Sequence, residues 1–174
     1  MYLVSVYFDE TTDKRIKSYI KQIAKSTGNT AMLDGKVPPH ITISAFQTAS
    51  EECAKEIFRK AAEELYAGDV QWVSVGSFLR GTIYIAPVLN EYLYQLSVIY
   101  NKEVTAQEGV RIDKRYQHFQ WFPHTTLAKH LTKEQLRCAF DVMQNQFGPF
   151  AGKVMKIGLA KTNPYRDMEV LELK

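Results

Sequence analysis

Hydrophobic and polar positions along the chain alternate between strand-like and helical spacing, and the switches mark out one order of elements that occurs twice. Residues 2–8, rich in Val, Tyr and Phe, predict a strand. From Asp13 to Ser26 the apolar positions Ile16, Tyr19, Ile20 and Ile23 recur at helical spacing, and Gly28 is placed to end that helix in a left-handed conformation. A loop from Gly28 to Pro39 leads into a short strand, His40 to Phe46. Thr48 to Glu51 has the form of a capping box, opening a helix through Ala54, Ile57, Phe58, Ala61 and Leu65 that Gly68 closes. Val70 to Phe78 and Thr82 to Ala86 read as two strands joined by a turn at Arg80-Gly81.

The order then repeats. Asn90 caps a helix holding Leu93, Leu96, Tyr100 and Val104, and a longer linker from Gly109 to Pro123 precedes a strand, His124 to Ala128. Thr132 to Gln135 is a second capping box, opening a helix through Leu136, Ala139, Phe140 and Met143 that Gly148-Pro149 ends. Val154 to Lys161 is the next strand, and Asn163-Pro164-Tyr165 turns the chain into a last one, Met168 to Leu173. The offset that carries Pro39-His40-x-Thr42 onto Pro123-His124-x-Thr126 also carries Thr48 onto Thr132. Two aligned features in matching contexts predict an internal duplication, with a first repeat of about residues 1–80 and a second of about 81–174. The expected architecture is α+β: two antiparallel sheets flanking a cleft, helices on their outer faces, and a final strand that completes a sheet.

Residues two apart in a strand face the same way, so His40 and Thr42 share one face while Ile41 and Ile43 pack under helices. His124 and Thr126 likewise share a face opposite Thr125 and Leu127. Duplication would bring both faces to one cleft, with two imidazoles on opposite sides of a bound group and a hydroxyl beside each. Such a pair suits attack at phosphorus: one imidazole takes a proton from the incoming group, the other protonates the departing oxygen, and the hydroxyls bind nonbridging oxygens. A lone strand histidine is more often structural; the pair in register is what points to catalysis.

Composition adds exclusions. Hydrophobic residues make up 45% of the 174 and charged residues 24%, with a net charge of +3. That excess helps attract a phosphate but is too small for a broad nucleic-acid surface. No apolar run reaches the ~20 residues of a membrane span. The opening residues lack a signal-peptide pattern, and Cys53 and Cys138 form no CxxC, so a cytoplasmic location is expected. No ligand-spaced cluster predicts a metal, no GxxxxGK[ST] loop predicts a nucleoside triphosphate, and no cofactor is expected. A monomer is the simplest expectation, the residues themselves leaving the oligomeric state open.

Softer candidates surround the pair. The linker Arg111 to Phe122 mixes cations and aromatics that could neutralise phosphate and stack on a base. Arg115, Tyr116 and His118 are its substrate-binding candidates, whereas Trp121 and Phe122 read as core anchors. Tyr84 on a central strand and Tyr165 in the last turn are further candidates. Lys36, Arg80 and Arg166 rank lower, the two arginines reading mainly as turn-surface charges, and His130 as an exposed or helix-capping residue.

His40-Ile41-Thr42-Ile43 and His124-Thr125-Thr126-Leu127 resemble the paired His-hydrophobic-Thr/Ser-hydrophobic motifs of the two-histidine phosphoesterase superfamily, often called the 2'-5' RNA ligase or LigT-like family. The resemblance spans nearly the whole chain; Thr125, where an apolar residue is usual, is its one departure. It implies a LigT-like bilobal fold and a nucleotide or RNA phosphodiester substrate, commonly a 2',3'-cyclic phosphate. It also implies His40 and His124 as the acid/base pair and Thr42 and Thr126 as phosphate-binding residues. Two competing functions remain: an RNA-binding protein that catalyses little, and RNA end joining through a 2'-5' bond.

Overall fold

The computed structural model describes residues 1–79 and 81–174. Arg80, with its share of the expected turn and its candidacy as a substrate contact, lies outside the described residues. The strands are β1 (Tyr2–Phe8), β2 (Ile41–Gln47), β3 (Gly68–Phe78), β4 (Thr82–Pro87), β5 (Arg111–Ile112), β6 (Thr125–Ala128), β7 (Phe150–Lys161) and β8 (Arg166–Glu172). The helices are α1 (Glu10–Thr27), α2 (Ala31–Asp34), α3 (Glu51–Ala62), α4 (Glu91–Thr105) and α5 (Lys133–Gln146).

All pairing is antiparallel, in the order β5-β2-β1-β7-β3-β4-β6 with β8 also on β7. The two expected sheets are therefore arms of one hydrogen-bonded sheet that divides at β7. Along one edge of β7 runs β1; along the other, Phe150 to Val154 pairs with β3 and Lys156 to Lys161 with β8. The last strand, β8, thus lies beside β7 on that second edge. Helices α3 and α4 pack together over the β2 arm, while α1 and α5 pack together over the β6 arm. Each arm is covered by one helix from either half of the chain, so the sequence boundary near residue 80 is not a packing boundary.

The periodicities account for what is buried. Ile16, Tyr19, Ile20 and Ile23 of α1 and Leu93, Leu96, Tyr100 and Val104 of α4 all lie in the core. Gly28 ends α1 at φ 69°, its N–H donating to the Ala24 carbonyl at 2.9 Å. In α5 the stripe is narrower than expected: Ala139 and Met143 are buried, but Phe140 turns to solvent.

The two helix starts expected from one pattern differ. Thr132 and Gln135 form the full reciprocal box on α5. On α3 the cap is Ser50, which accepts from the Cys53 N–H at 3.2 Å; Thr48 Oγ1 instead accepts from the Ser50 N–H at 3.3 Å. Glu51, the partner expected to close the box, is drawn away by Lys161 and Arg166 and held at a pKa of about 2 by those hydrogen bonds. The loop expected from Gly28 to Pro39 contains α2, α1 starts at Glu10 on an Asp9 cap, and β7 starts four residues earlier than expected, at Phe150.

Thr125 has a structural role. Its side chain is fully buried and its Oγ1 accepts from Trp72 Nε1 at 3.2 Å. Trp72, also fully buried, stacks on Phe150 and meets Phe8 edge-on, each at 4.9 Å between ring centroids. A hydroxyl at Thr125 thus lets the largest core ring satisfy its one donor. Thr125→Val should destabilise the protein by about 1–3 kcal/mol in urea unfolding, because it leaves the indole N–H buried and unpaired. Trp72→Phe should cost less in the Thr125→Val background than in the wild type, and an additive loss would refute the pairing.

Candidate active site

Each His-x-Thr motif begins where a buried proline, Pro39 or Pro123, delivers the chain into a strand. His40 Nδ1 lies 2.8 Å from the Pro38 carbonyl, and His124 Nδ1 lies 2.9 Å from the Phe122 carbonyl. A carbonyl only accepts, so each Nδ1 carries the hydrogen, and Nε2 is the basic nitrogen of the neutral ring. Ile41, Ile43, Thr125 and Leu127 are fully buried on the opposite face, while His40, Thr42, His124 and Thr126 are half-buried.

The motifs also sit in matching registers. Thr42 on β2 faces Ser5 on β1, which faces Gly158 on β7. Thr126 on β6 faces Tyr84 on β4, which faces Gly76 on β3. Both glycines lie under a tyrosine ring: a Cβ on Gly76 would come within 2.6 Å of the Tyr84 hydroxyl, and one on Gly158 within 2.7 Å of the Tyr7 ring. A hydrogen in place of a side chain lets each ring lie down beside its histidine, Tyr84 at 5.5 Å from His124 and Tyr7 at 6.3 Å from His40.

The His124 side is walled by aromatics and by the linker. Phe78 meets the imidazole edge-on at 4.9 Å, and Phe122 stacks at 6.1 Å. The cleft, about 450 Å³, is further lined by Arg115, Tyr116 and Trp121. Trp121 Nε1 donates to the Thr42 carbonyl at 2.9 Å, Tyr116 stands beside the Thr42 side chain, and Thr42 Oγ1 is 3.2 Å from Ser5 Oγ. The linker therefore fastens the wall of the His124 cleft to the strand that carries the other motif. On the His40 side, Tyr7, Pro38 and Asp167 line a cavity of about 360 Å³. The Tyr165 hydroxyl donates to Asp167 Oδ1 at 2.6 Å and stands near the Tyr7 hydroxyl.

Burial lowers the pKa of both imidazoles below the ordinary 6.5, against the opposing pull of their carbonyl bonds. The remaining influences differ. His40 is pushed further down by the charges of His124 and Lys129 and lifted by Asp167. His124 is pushed down by Arg115. The charge of His124 thus reaches His40 across the cleft. Burial raises the hydroxyl pKa of Tyr7 and of Tyr165, and the nearby Asp167 raises both further.

Of the softer candidates, Tyr84, Arg115 and Tyr116 lie at the His124 side, and Tyr165 reaches the His40 side through Tyr7. His118 is turned away: its Nε2 lies 3.2 Å from the Tyr94 hydroxyl on α4. Phe122 is no core anchor but a cleft wall with 48% exposure, whereas Trp121, half-buried, packs against the core as expected. Arg166 pairs with Glu51, Lys36 is exposed at φ 51°, and His130 is exposed at φ 60°. Reading the sequence missed Tyr7, Phe78, Lys129 and Asp167. Tyr7 carried a signal, an aromatic on the strand face opposite Val4 and Val6; the other three act across strands, which no local pattern reveals. Among the described residues no group of three or more His, Cys, Asp or Glu could hold a metal ion.

The bilobal sheet with a histidine motif on each arm defines the LigT-like class of α+β fold. The family profile of the 2'-5' RNA ligase superfamily matches residues 12–166, and the chain belongs to that superfamily of two-histidine phosphoesterases. It is similar to Escherichia coli LigT complexed with 3'-AMP, at 14% identity and a TM-score of 0.66, covering 99% of this chain and 97% of that one. The same protein complexed with phosphate gives 14% identity and 0.61 over 99% and 96%. Kluyveromyces marxianus Usb1 gives 12% identity and 0.52 over 99% and 96%. No curated protein sequence matches the chain significantly.

In an NMR titration both imidazoles should titrate below 6.5. Arg115→Gln should move His124 upward, and Lys129→Gln should move His40 upward, since each removes a nearby cation. Titration of either ring above that value in the unliganded protein would refute the burial argument.

Proposed function

We propose that the chain is a metal-independent phosphodiesterase acting on a nucleotide or RNA phosphodiester, above all a 2',3'-cyclic phosphate, with His40 and His124 as its acid/base pair. The observation that carries this reading is the matched anchoring of the two rings. Each spends Nδ1–H on a backbone carbonyl, keeps Nε2 for proton transfer, and has a Thr hydroxyl two residues on along the same strand face. One neutral imidazole takes the proton of water as its oxygen bonds to phosphorus. The protonated partner gives its hydrogen to the departing 2' or 3' oxygen as that bond to phosphorus breaks. Thr42 and Thr126 donate to the nonbridging oxygens, where negative charge gathers. Arg115 adds a cation at that side, and Tyr84 and Phe122 offer faces to a base. The 3'-AMP and phosphate in complexes of a similar structure are the kind of group such a cleft would hold.

End joining is the second reading, favoured by the superfamily to which the chain belongs. A 5'-hydroxyl then replaces water, and the proton transfers are unchanged. Incubation of a strand ending in a 2',3'-cyclic phosphate, with and without a 5'-hydroxyl acceptor, separates hydrolysed from joined products. Binding without either product would leave a protein that binds RNA and catalyses little.

His40→Ala and His124→Ala should each lower turnover of a 2',3'-cyclic nucleotide by about 10²–10⁴-fold while unfolding stays cooperative. Unchanged turnover in both variants would reject the assignment. The base must be neutral and the acid protonated, so activity falls as pH drops through one pKa and as it rises through the other. Because burial lowers both, the maximum of kcat/KM should lie on the acid side of 6.5. A maximum well above that pH would contradict the pairing.

A further inference from the structure

We infer that the groove along β5, joined to the His124 cleft at Arg115, seats a single-stranded polynucleotide whose terminus reacts in the cleft, with Arg111 and Lys114 contacting its phosphates. The inference rests on the phosphodiesterase reading and adds its substrate class: a strand of several nucleotides in preference to a free mononucleotide.

Arg115 lines both spaces. It borders the His124 cleft, and it also borders a groove of about 390 Å³ whose walls include Gln47, Arg111, Asp113 and Lys114. Within that groove the charges are lopsided. Asp113 is engaged by Arg115 through a two-pronged contact at 3.0 and 2.8 Å, which holds its pKa at about 2. Arg111 and Lys114 are exposed, and no carboxylate pairs with either among the described residues. Two cations are thus left over, in a chain whose net charge is only +3. A modest excess gathered at the mouth of a phosphate-sized cleft acts more strongly than the same excess spread over a surface.

The cations are also held in place. β5 pairs with β2 through Phe46↔Ile112 and Gln47↔Arg111, and the Asp113 N–H donates to the Ala45 carbonyl at 2.8 Å. Asp113 Oδ1 then accepts from the Arg115 N–H at 2.9 Å, fixing the single 3₁₀ turn Lys114–Tyr116 that carries Lys114 and Arg115. Backbone order that exists before binding need not be acquired on binding. Because β5 is the edge of the sheet and two residues long, no further strand among the described residues covers the groove. The aromatic faces of Phe122 and Tyr84 lie at the cleft and the free cations beyond it, so a terminal base and the phosphates that follow meet different chemistry. Stacking groups followed by a cationic track are the pattern of single-strand binding.

The test uses an RNA octanucleotide ending in a 2',3'-cyclic phosphate, the corresponding cyclic mononucleotide, and the double variant Arg111→Ala/Lys114→Ala. KM for the octanucleotide should rise about tenfold, while the mononucleotide, too short to reach the groove, keeps its KM and kcat. Binding of a 5'-labelled octanucleotide bearing a 3'-phosphate, followed by fluorescence anisotropy, needs no turnover. Its slope of log K against log salt should become shallower by about 1.4, two contacts at roughly 0.7 each. An unchanged octanucleotide KM and salt slope in the variant would overturn the groove, as would equal losses for both substrates. If the wild type turns over neither substrate yet the strand binds with the expected slope, the groove stands and the phosphodiesterase reading fails.

Discussion

Strand β7 is the constraint on which the arrangement of both motifs depends. Its 12 residues pair with β1 along one edge and with β3 and then β8 along the other. A backbone ladder is directional and fixed in register, so one strand shared by two arms sets where each arm lies relative to the other. His40 is two strands from β7 on one arm, and His124 is three strands away on the other, with β3 standing where β7 stands opposite. Gly158 and Gly76 occupy corresponding places in the two registers. Any side chain there would lift a tyrosine away from its histidine, so the backbone permits the aromatic packing that buries the imidazoles.

The geometry is close to symmetric, but the electrostatics are not. Both rings are anchored alike and both are held toward neutrality by burial. Around His40 stand Lys129, Tyr7 and the hydrogen-bonded pair Tyr165–Asp167; around His124 stand Arg115 and three aromatic rings. Two arms built alike thus set two similarly anchored rings among different charges. The linker contributes much of this difference. It carries Arg115 and Phe122, and it ties itself to Thr42 through Trp121.

Local patterns were legible where one physical cause acted alone. The stripes of α1 and α4 identified their buried residues, Gly28 marked the end of α1, and Thr132 with Gln135 marked the start of α5. Patterns misled where distant partners competed. Ser50 displaced Thr48 as the cap of α3 while Glu51 was engaged by Lys161 and Arg166, residues far along the chain. Phe122 resembled a core anchor because composition cannot tell a ring under a sheet from a ring lining a cleft. Thr125 looked like a lapse from the motif until its buried partner, Trp72, was in view.

By itself the sequence determined the longer helices and strands, the two His-x-Thr strands, and which side of each of those strands would be buried, since those follow from spacing of two or about 3.6 residues. Only the tertiary structure decided that helices from opposite halves share an arm, that Arg115 stands by one ring and Lys129 with Asp167 by the other, and that His118 faces away. Contacts between distant residues depend on how sheets pair and twist, and a periodicity carries no record of that.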